Sequence, residues 1–396
     1  MSVKDYWLLP EGIDESLPAE AARLEDARRQ LIDLYRSWGY ELVMPPLIEY
    51  LESLLVGSPD LDLQTFKLTD QLTGRMMGVR ADMTPQVARI DAHRLKSEVP
   101  TRLCYLGTVL KTRPDNFAGS RSPLQVGVEL YGHSGIDSDL EVLSMMLETL
   151  NLCGIKPPIH VDIGHVGIFR ELARQAELDE SQEAVLFDML QRKARTEISD
   201  WLDKRELRAD VKKSLESLAM LNGSREVLEE ARALPGFAAK QLQGYLDELG
   251  VLSDHIAATY PEVEINFDLS ELRGYHYETG IVFAAYLPGE GRELARGGRY
   301  DGIGKRFGRA RAATGFSADL KTLMRLGRFQ STQINEKIFA PVQNDPELMQ
   351  QIKQLRAQGS IVVQSLSGQL ETAADMGCSA ELVKQNDQWV VQKIMG

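Results

Sequence analysis

The stretch from residue 272 to residue 302 constrains the fold of this chain more than any other part of its sequence. A loop rich in arginine and tyrosine leads into a β-rich run at residues 281–285, which ends at a strong turn signal, Pro288-Gly289-Glu290-Gly291. The chain then returns through Gly297-Gly298-Arg299-Tyr300. The pattern predicts a β-hairpin that brings two glycines next to the loop, where the absence of a side chain lets the backbone pass close to a ligand.

The loop and the returning strand together suit a small zwitterionic ligand. The guanidinium of Arg273 can pair with a carboxylate, and the rings of Tyr275, Tyr277 and Tyr300 offer flat apolar faces. An ordinary hairpin with exposed arginine and tyrosine side chains is the alternative, and the spacing alone favours it. The rest of the chain is needed to decide between the two interpretations.

The composition of the 396-residue chain predicts a soluble globular protein with one large domain and one or two smaller pieces. No apolar run approaches the length of a membrane span, the polar N-terminus does not resemble a signal peptide, and three scattered cysteines lack metal-binding spacing. These features predict a cytoplasmic protein without a metal or cofactor. A formal net charge of −13 disfavours a tRNA-binding surface, because phosphates require a basic field.

The segment at residues 79–89, Val-Arg-Ala-Asp-Met-Thr-Pro-Gln-Val-Ala-Arg, combines a turn with the start of a helix. Thr84 and Pro85 are typical of a helix cap and first turn. Asp82 lies just before them, so its carboxylate either caps the same helix or faces a ligand. The segment alone leaves both readings open.

Residues 102–110 and 124–131 predict two strands around a loop rich in glycine, serine and arginine. Alternation along the second strand puts Gln125 and Glu129 on one face, with Gly127 between them. Charged side chains on a core-facing strand need partners, so this pattern favours a ligand site over an exposed face.

The remaining segments complete an α+β domain plan. Residues 171–260 are predicted to be helical and strongly charged, as an insertion into a core domain at residues 1–330. Residues 331–396 predict a small, net acidic α/β unit.

The hairpin stretch resembles the two signature motifs of histidyl-tRNA synthetase, Arg-Gly-Leu-Asp-Tyr-Tyr-Thr-Gly and Ala-Gly-Gly-Arg-Tyr-Asp-Gly. Tyr275, His276 and Glu278 replace the Leu, the Asp and the second Tyr of the first motif. Residues 16–44 and 102–131 resemble motifs 1 and 2 of class II aminoacyl-tRNA synthetases, and residues 331–396 resemble a reduced anticodon-binding domain. Over about residues 8–326 the resemblance implies a class II synthetase-like core, with an antiparallel sheet flanked by helices.

In that family the signature motifs build a histidine pocket, and most of its positions keep a suitable side chain here. The resemblance implies that Asp82, Gln125 and Glu129 receive the ammonium and imidazole groups and that Arg273 receives the carboxylate. The other residues expected at this pocket are Thr84, Arg113, Tyr275, Tyr277 and Tyr300.

The positions that face ATP in the synthetases are changed. Lys111 replaces the motif 2 arginine that holds the α-phosphate in a fork, and lysine cannot reproduce this two-point contact. In motif 3, Thr322 replaces the arginine, and Asp319 places a negative charge where the family has glycine.

Variants such as Leu-Lys-Thr-Arg-Pro at residues 110–114 are similar to a paralogous family, the regulatory subunits of ATP phosphoribosyltransferase. This resemblance implies a non-catalytic partner of a short-form catalytic subunit in a hetero-octamer. It also implies self-association as a dimer through the motif 1 region and feedback inhibition by L-histidine. A divergent histidyl-tRNA synthetase and a plain scaffold with a relic pocket are the alternatives.

Overall fold

A computed structural model describes residues 7–56, 60–114, 119–272, 274–275, 277–331 and 336–394. The chain divides into two compact units, one ending at Gln330 and the other beginning at Ser331. The strands of the first unit are β1 (Glu41–Leu42), β2 (Ile48–Tyr50), β3 (Phe66–Thr69), β4 (Met76–Val79), β5 (Thr101–Thr108), β6 (Leu124–Tyr131), β7 (Ile159–His165), β8 (Asn222–Gly223), β9 (Val263–Asp268), β10 (Ile281–Tyr286), β11 (Glu293–Arg299) and β12 (Ala313–Asp319).

Nine of the described strands form one large sheet in the order β1-β5-β6-β12-β11-β10-β7-β9-β8. The pairs from β5 across to β7 are antiparallel, whereas β1 with β5 and β7 with β9 are parallel. The hairpin predicted from the sequence is confirmed as β10 and β11, in which Val282 is the Cα partner of Gly298. A separate antiparallel sheet has the order β2-β4-β3.

Helices pack on the large sheet, and others make up much of the charged segment before β9. They are α1 (Pro18–Ser37), α2 (Leu51–Leu54), α3 (Asp60–Gln64), α4 (Thr84–Arg89), α5 (Ile136–Leu152), α6 (Val166–Gln175), α7 (Glu180–Gln191), α8 (Arg195–Asp203), α9 (Ala209–Leu218), α10 (Glu226–Ala233), α11 (Lys240–Thr259) and α12 (Leu320–Leu326). A π-helical turn, Ile90–Leu95, continues α4, and 3-10 turns occur at Pro235–Ala238 and Ile303–Phe307. The assignment of residues 171–260 as an inserted domain stays a prediction.

Alternation along β6 separates the core from the polar face. Val126, Val128 and Leu130 are buried in the hydrophobic cluster that also contains the apolar faces of α1 and α5. Gln125 and Glu129 therefore point to the opposite side of the sheet, away from these helices. The helices give the sheet a rigid support, and the functional side chains lie on its other face.

One helix start differs from the sequence prediction. Helix α4 begins at Thr84, whose hydroxyl donates to Glu129, and the residue before it, Met83, makes no side-chain cap hydrogen bond among the described residues. Helix α1 begins at Pro18 after Leu17, also without a side-chain cap among the described residues. Proline has no backbone N–H, which reduces the need for a cap there.

The second unit is a four-stranded sheet with one helix. Its elements are β13 (Lys337–Ala340), α13 (Pro346–Ala357), β14 (Ile361–Gln364), β15 (Ala380–Gln385) and β16 (Gln388–Lys393), with the strand order β14-β13-β15-β16. Ile338, Leu348, Ile352 and Leu382 are buried in its core. Residues 373–377 form turns before β15.

A buried ion pair joins β11 to the start of α5. The Arg299 guanidinium donates to Asp139 Oδ2 at 2.7 and 3.1 Å, to the Ser138 hydroxyl at 2.8 Å and to the Gly135 carbonyl at 3.1 Å. Arg299 and Asp139 are both buried. The arginine of the Gly-Gly-Arg-Tyr motif therefore fastens the sheet to the helix beneath it.

Replacement of Arg299 by methionine is expected to destabilise the protein strongly, because it leaves the Asp139 carboxylate buried without its cation. Breaking one side of such a pair costs about 3–5 kcal/mol of unfolding free energy. Urea unfolding followed by circular dichroism measures the loss. The control is Arg225→Met, which removes an exposed pair with Asp254 and is expected to change stability little. Equal effects of the two substitutions would contradict the structural role of Arg299.

Candidate ligand-binding site

Two adjacent glycines open a trough on the polar face of the large sheet. Glu129 of β6 is the Cα partner of Gly315 on β12, and Gly315 is the partner of Gly298 on β11. A Cβ atom on Gly315 would lie 1.6 Å from Oε2 of Glu129, and one on Gly298 would lie 2.9 Å from Oε2 of Glu278. Glycine at both positions therefore leaves room for two carboxyl groups above the sheet. We call the space over these two glycines the trough.

Glu129 is held by three hydroxyl groups from three different segments. Its Oε1 atom accepts hydrogen bonds from Thr84 Oγ1 and from the Tyr105 hydroxyl, both at 3.0 Å, and its Oε2 atom accepts one from the Tyr300 hydroxyl. The Tyr131 hydroxyl lies 3.3 Å from that of Tyr300. Among the described residues, the donors that orient Glu129 are all neutral.

Gly127 is required for the contact between Tyr105 and Glu129. Tyr105 on β5 is the Cα partner of Gly127 on β6, and a Cβ atom on Gly127 would lie 2.6 Å from the Tyr105 hydroxyl oxygen. A side chain at this position would displace the phenol from the carboxyl group. The glycine between Gln125 and Glu129 therefore makes room for a residue on the neighbouring strand.

The electrostatic state of Glu129 follows from its burial. Desolvation raises the pKa of its carboxyl to about 8, while hydrogen bonds from Tyr300, Tyr105 and Thr84 act in the opposite direction by favouring the charged form. The negative charge of Asp82 adds to the rise. At neutral pH the unliganded protein therefore keeps this carboxyl largely protonated.

A second group of polar side chains fixes the turn before α4. Gln125 Nε2 donates to Asp82 Oδ1 at 2.7 Å, and the backbone N–H of Met83 donates to Gln125 Oε1 at 2.9 Å. The same Asp82 oxygen accepts the N–H of Thr84 at 3.1 Å. One hydrogen-bonded network therefore joins Asp82 and Thr84 to Gln125 and Glu129, which belong to a distant segment of the sequence.

The remaining predicted site residues occupy different surroundings. Tyr300 contacts Glu129 directly, and the Tyr277 ring centroid lies 6.5 Å from that of Tyr300, at the border of the network. Arg113 is exposed in the loop after β5, and no contact of the described residues brings it to the network. Arg273 lies outside the described residues.

Tyr275 packs on the helical side and not in the Glu129 network. Its ring lies 5.3 Å from Phe169 and 5.2 Å from Phe187, and the Arg170 guanidinium lies 4.7 Å above it. Arg170 also donates to the Tyr275 carbonyl at 2.5 Å. These contacts give Tyr275 a structural environment against α6 and α7.

Sequence reasoning missed three residues of the site: Tyr105, Tyr131 and Glu278. Tyr131 is the last residue of β6 on the same face as Glu129, so strand alternation could have identified it. Tyr105 could not be identified without the register between β5 and β6. Glu278 was noted only as a departure from the synthetase motif, yet its carboxyl is buried beside the trough.

Polar side chains at the start of α12 make contacts within the chain. Asp319 caps α12 by accepting the Lys321 N–H at 3.2 Å, and it also accepts the Leu124 N–H at 3.0 Å and the Thr322 hydroxyl at 2.7 Å. Lys321 pairs with Asp14 at 2.8 Å. In the part of the chain that the structure describes, no group of three or more His, Cys, Asp or Glu side chains is arranged to hold a metal ion. None of its described helices is long and apolar enough to cross a membrane.

The raised pKa of Glu129 predicts a pH-dependent loss of stability that Glu129→Gln removes. The folded protein keeps a proton on this carboxyl that the unfolded chain releases near the ordinary value of 4.5. Stability is therefore lost as pH rises from about 5 to about 8. Over this window the unfolding free energy of the variant should rise relative to wild type by about 3–4 kcal/mol.

Urea unfolding of both proteins at a series of pH values measures this difference. Glu371→Gln, at an exposed position in the second unit, is the matched control and should follow the wild type throughout. Parallel pH profiles for wild type and Glu129→Gln would show that the carboxyl is not held in its neutral form.

Comparisons with known proteins agree over almost the whole chain. Residues 12–323 match the family model described as histidyl-tRNA synthetase, and residues 335–392 match the ATP phosphoribosyltransferase subunit HisZ C-terminal domain. A protein from Thioalkalivibrio sulfidiphilus (strain HL-EbGR7), named ATP phosphoribosyltransferase regulatory subunit, is 59% identical over 393 residues, which cover 99% of both chains.

Two solved structures share the fold. A Bacillus halodurans C protein described as an ATP phosphoribosyltransferase regulatory subunit/histidyl-tRNA synthetase is 29% identical, with a TM-score of 0.81 over 94% of this chain and 96% of that chain. A chain of the ATP phosphoribosyl transferase (HisG:HisZ) complex from Thermotoga maritima, 21% identical, has a TM-score of 0.57 over 75% of this chain and 97% of that chain, and supports the fold alone. The predicted α+β, class II synthetase-like fold is confirmed. The chain belongs to the family of ATP phosphoribosyltransferase regulatory subunits.

Proposed function

We propose that this chain is a non-catalytic subunit that binds and activates a short-form ATP phosphoribosyltransferase catalytic subunit and makes the complex sensitive to histidine. The catalytic subunit joins ATP to phosphoribosyl pyrophosphate. Family membership over nearly the full length of the chain supports the role as a subunit. The observation that carries the histidine assignment is the buried polar network around Glu129, because such a network is costly in an unused relic.

Histidine is proposed to lie in the trough with its imidazole ring beside Glu129. The half-buried pair Asp82 and Gln125 would receive the ammonium group, since Asp82 is a carboxylate at the edge of the same network. Thr84, Tyr277 and Tyr300 would hold or border the ring. Contacts from Arg273 to the ligand carboxylate and from Arg113 to the ligand stay predictions.

Tyr275 has a supporting place in this proposal. Its ring packs against Phe169 and Phe187, and Gly274, with φ of 77°, turns the chain between it and the preceding loop. Tyr275 would therefore position the loop from the helical side, and its own contact with the ligand stays a prediction.

The absence of aminoacylation is proposed from the chemistry of the former nucleotide positions. Lys111 cannot make the bidentate phosphate contact of an arginine, and the hydroxyl of Thr322 is hydrogen-bonded to Asp319. Loss of charged groups aimed at a transition state typically costs orders of magnitude in rate. A divergent histidyl-tRNA synthetase remains the second candidate, because the family model over residues 12–323 carries that description.

Self-association through the motif 1 region belongs to the same proposal. Large apolar side chains are exposed around β1 and β2, and Met44 is 78% exposed. The others are Trp38, Leu47 and Ile48. Clustered apolar surface of this kind is typical of an interface. Assembly into a hetero-octamer, allosteric control and a cytoplasmic location complete the proposal.

The first expected outcome concerns the complex. The purified chain should co-purify with a short-form catalytic subunit and raise its activity, and histidine should inhibit the complex. In Glu129→Gln, half-inhibition should require roughly tenfold more histidine or more, because a hydrogen bond to a charged group is lost. Glu371→Gln is the control at an exposed site and should respond as the wild type does. Unchanged inhibition of the complex that contains Glu129→Gln would contradict the proposal that histidine binds in the trough.

The second expected outcome separates the two candidate functions. The chain should show no histidine-dependent exchange of pyrophosphate into ATP, because an adenylate cannot form without the lost phosphate contacts. A histidyl-tRNA synthetase run in parallel provides the positive control. Exchange above background by the purified chain would favour the synthetase.

A further inference from the structure

Two buried carboxyl groups reach the trough from different parts of the chain. Glu129 extends from β6 over Gly315, and Glu278 extends from the loop before β10 over Gly298. Gly315 and Gly298 are directly paired on adjacent strands, and the Cβ positions of such a pair lie about 4.5–5.5 Å apart on the same face. The two carboxyl groups therefore lie on the same face, close enough for one small flat ring to contact both.

One carboxyl oxygen of Glu278 lacks a hydrogen bond from the described residues. It is 5% exposed, and its Oε2 atom, the one above Gly298, has no hydrogen-bond partner among the residues the structure describes. A buried acceptor without a donor costs free energy, so the position is suited to a ligand that brings an N–H group.

The charged and titratable groups around Glu278 come from several elements. The Tyr277 hydroxyl hydrogen-bonds to it, Arg296 attracts it, and Glu129 and Asp139 repel it. Arg170 of α6 also acts on it through its charge. Desolvation dominates and raises the pKa of the Glu278 carboxyl well above its usual value. A cation between Glu129 and Glu278 would offset this unfavourable burial of two like charges.

We propose that the trough selects the imidazolium form of histidine, with Glu129 and Glu278 each accepting one ring N–H. This inference rests on the proposed histidine-binding function and names the protonation state that the site demands. A neutral imidazole has one N–H and one bare nitrogen, and the bare nitrogen would face a carboxylate oxygen. The three hydroxyl donors on Glu129 favour its ionised form once a cation is present.

The proton belongs on the ring because an ion pair compensates both buried carboxyl groups at once. In the free site burial raises the pKa of the Glu129 carboxyl to about 8, and an imidazolium between the two carboxylates acts in the opposite direction, since a nearby cation favours the ionised form of a carboxyl group. The tyrosine that the synthetase motif carries at this position can donate its hydroxyl proton to a bare ring nitrogen. An ionised glutamate has no proton to donate, so Glu278 changes the site from one that accepts a neutral ring to one that requires two N–H donors.

The test is nitrogen NMR of ring-labelled histidine bound to the full chain at about pH 8.5, roughly two units above the ordinary pKa of the free ring. The wild type is expected to show two protonated ring nitrogens. In Glu278→Gln, whose amide can donate to a bare nitrogen, one of the two should lose its proton, and affinity should fall roughly tenfold or more. Methylation of either ring nitrogen should weaken binding to the wild type by a similar factor.

The outcomes separate the inference from the function on which it rests. A bound ring with one bare nitrogen in the wild type overturns the inference and leaves histidine binding intact. No bound signal at all overturns the proposed function as well. Glu371→Gln serves as the control variant, and the wild-type spectrum decides the matter even if Glu278→Gln does not fold.

Discussion

The structure around the trough depends on the solvation of one buried carboxyl group, that of Glu129. Among the described residues, its hydrogen bonds come from the hydroxyls of Thr84, Tyr105 and Tyr300, which belong to α4, to β5 and to the residue after β11. Glycine at 127 makes room for Tyr105, and glycine at 315 makes room for the Glu129 carboxyl itself. Residues far apart in the sequence thus form one hydrogen-bonded assembly around a group that water would otherwise solvate.

The polar side chains near the start of α12 are paired within the chain. Asp319 binds the N–H of Leu124 and of Lys321, and Lys321 pairs with Asp14, so polar groups near motif 3 join β6, α12 and the N-terminal segment. Here polar side chains satisfy one another within the chain, whereas in the trough Glu278 retains an unpaired oxygen among the described residues. A polar atom left without a partner is a better indication of a ligand than polarity alone.

The sequence predicted the features that depend on local periodicity. Alternation along β6 identified Gln125 and Glu129 on one face, and the turn chemistry after residue 286 identified the β10–β11 hairpin. Features that depend on strand register or on an irregular loop were not accessible. Tyr105 was missed because its pairing with Gly127 is a tertiary fact. The packing of Tyr275 against Phe169 and Phe187 was not accessible either, because it depends on the turn at Gly274 in an irregular loop.

The same constraint bears on how a ligand in the trough could regulate another subunit. A ligand shifts a conformational equilibrium only by the difference in its affinity for the two states. Because the partners of Glu129 belong to three separate segments, a relative movement of these segments changes the hydrogen bonds that stabilise its charge. A ligand cation needs that charge, so its affinity must vary with their arrangement. A carboxylate solvated by one rigid element would lack this dependence, so the dispersal of the donors over three segments couples the charge of Glu129 to the arrangement of those segments.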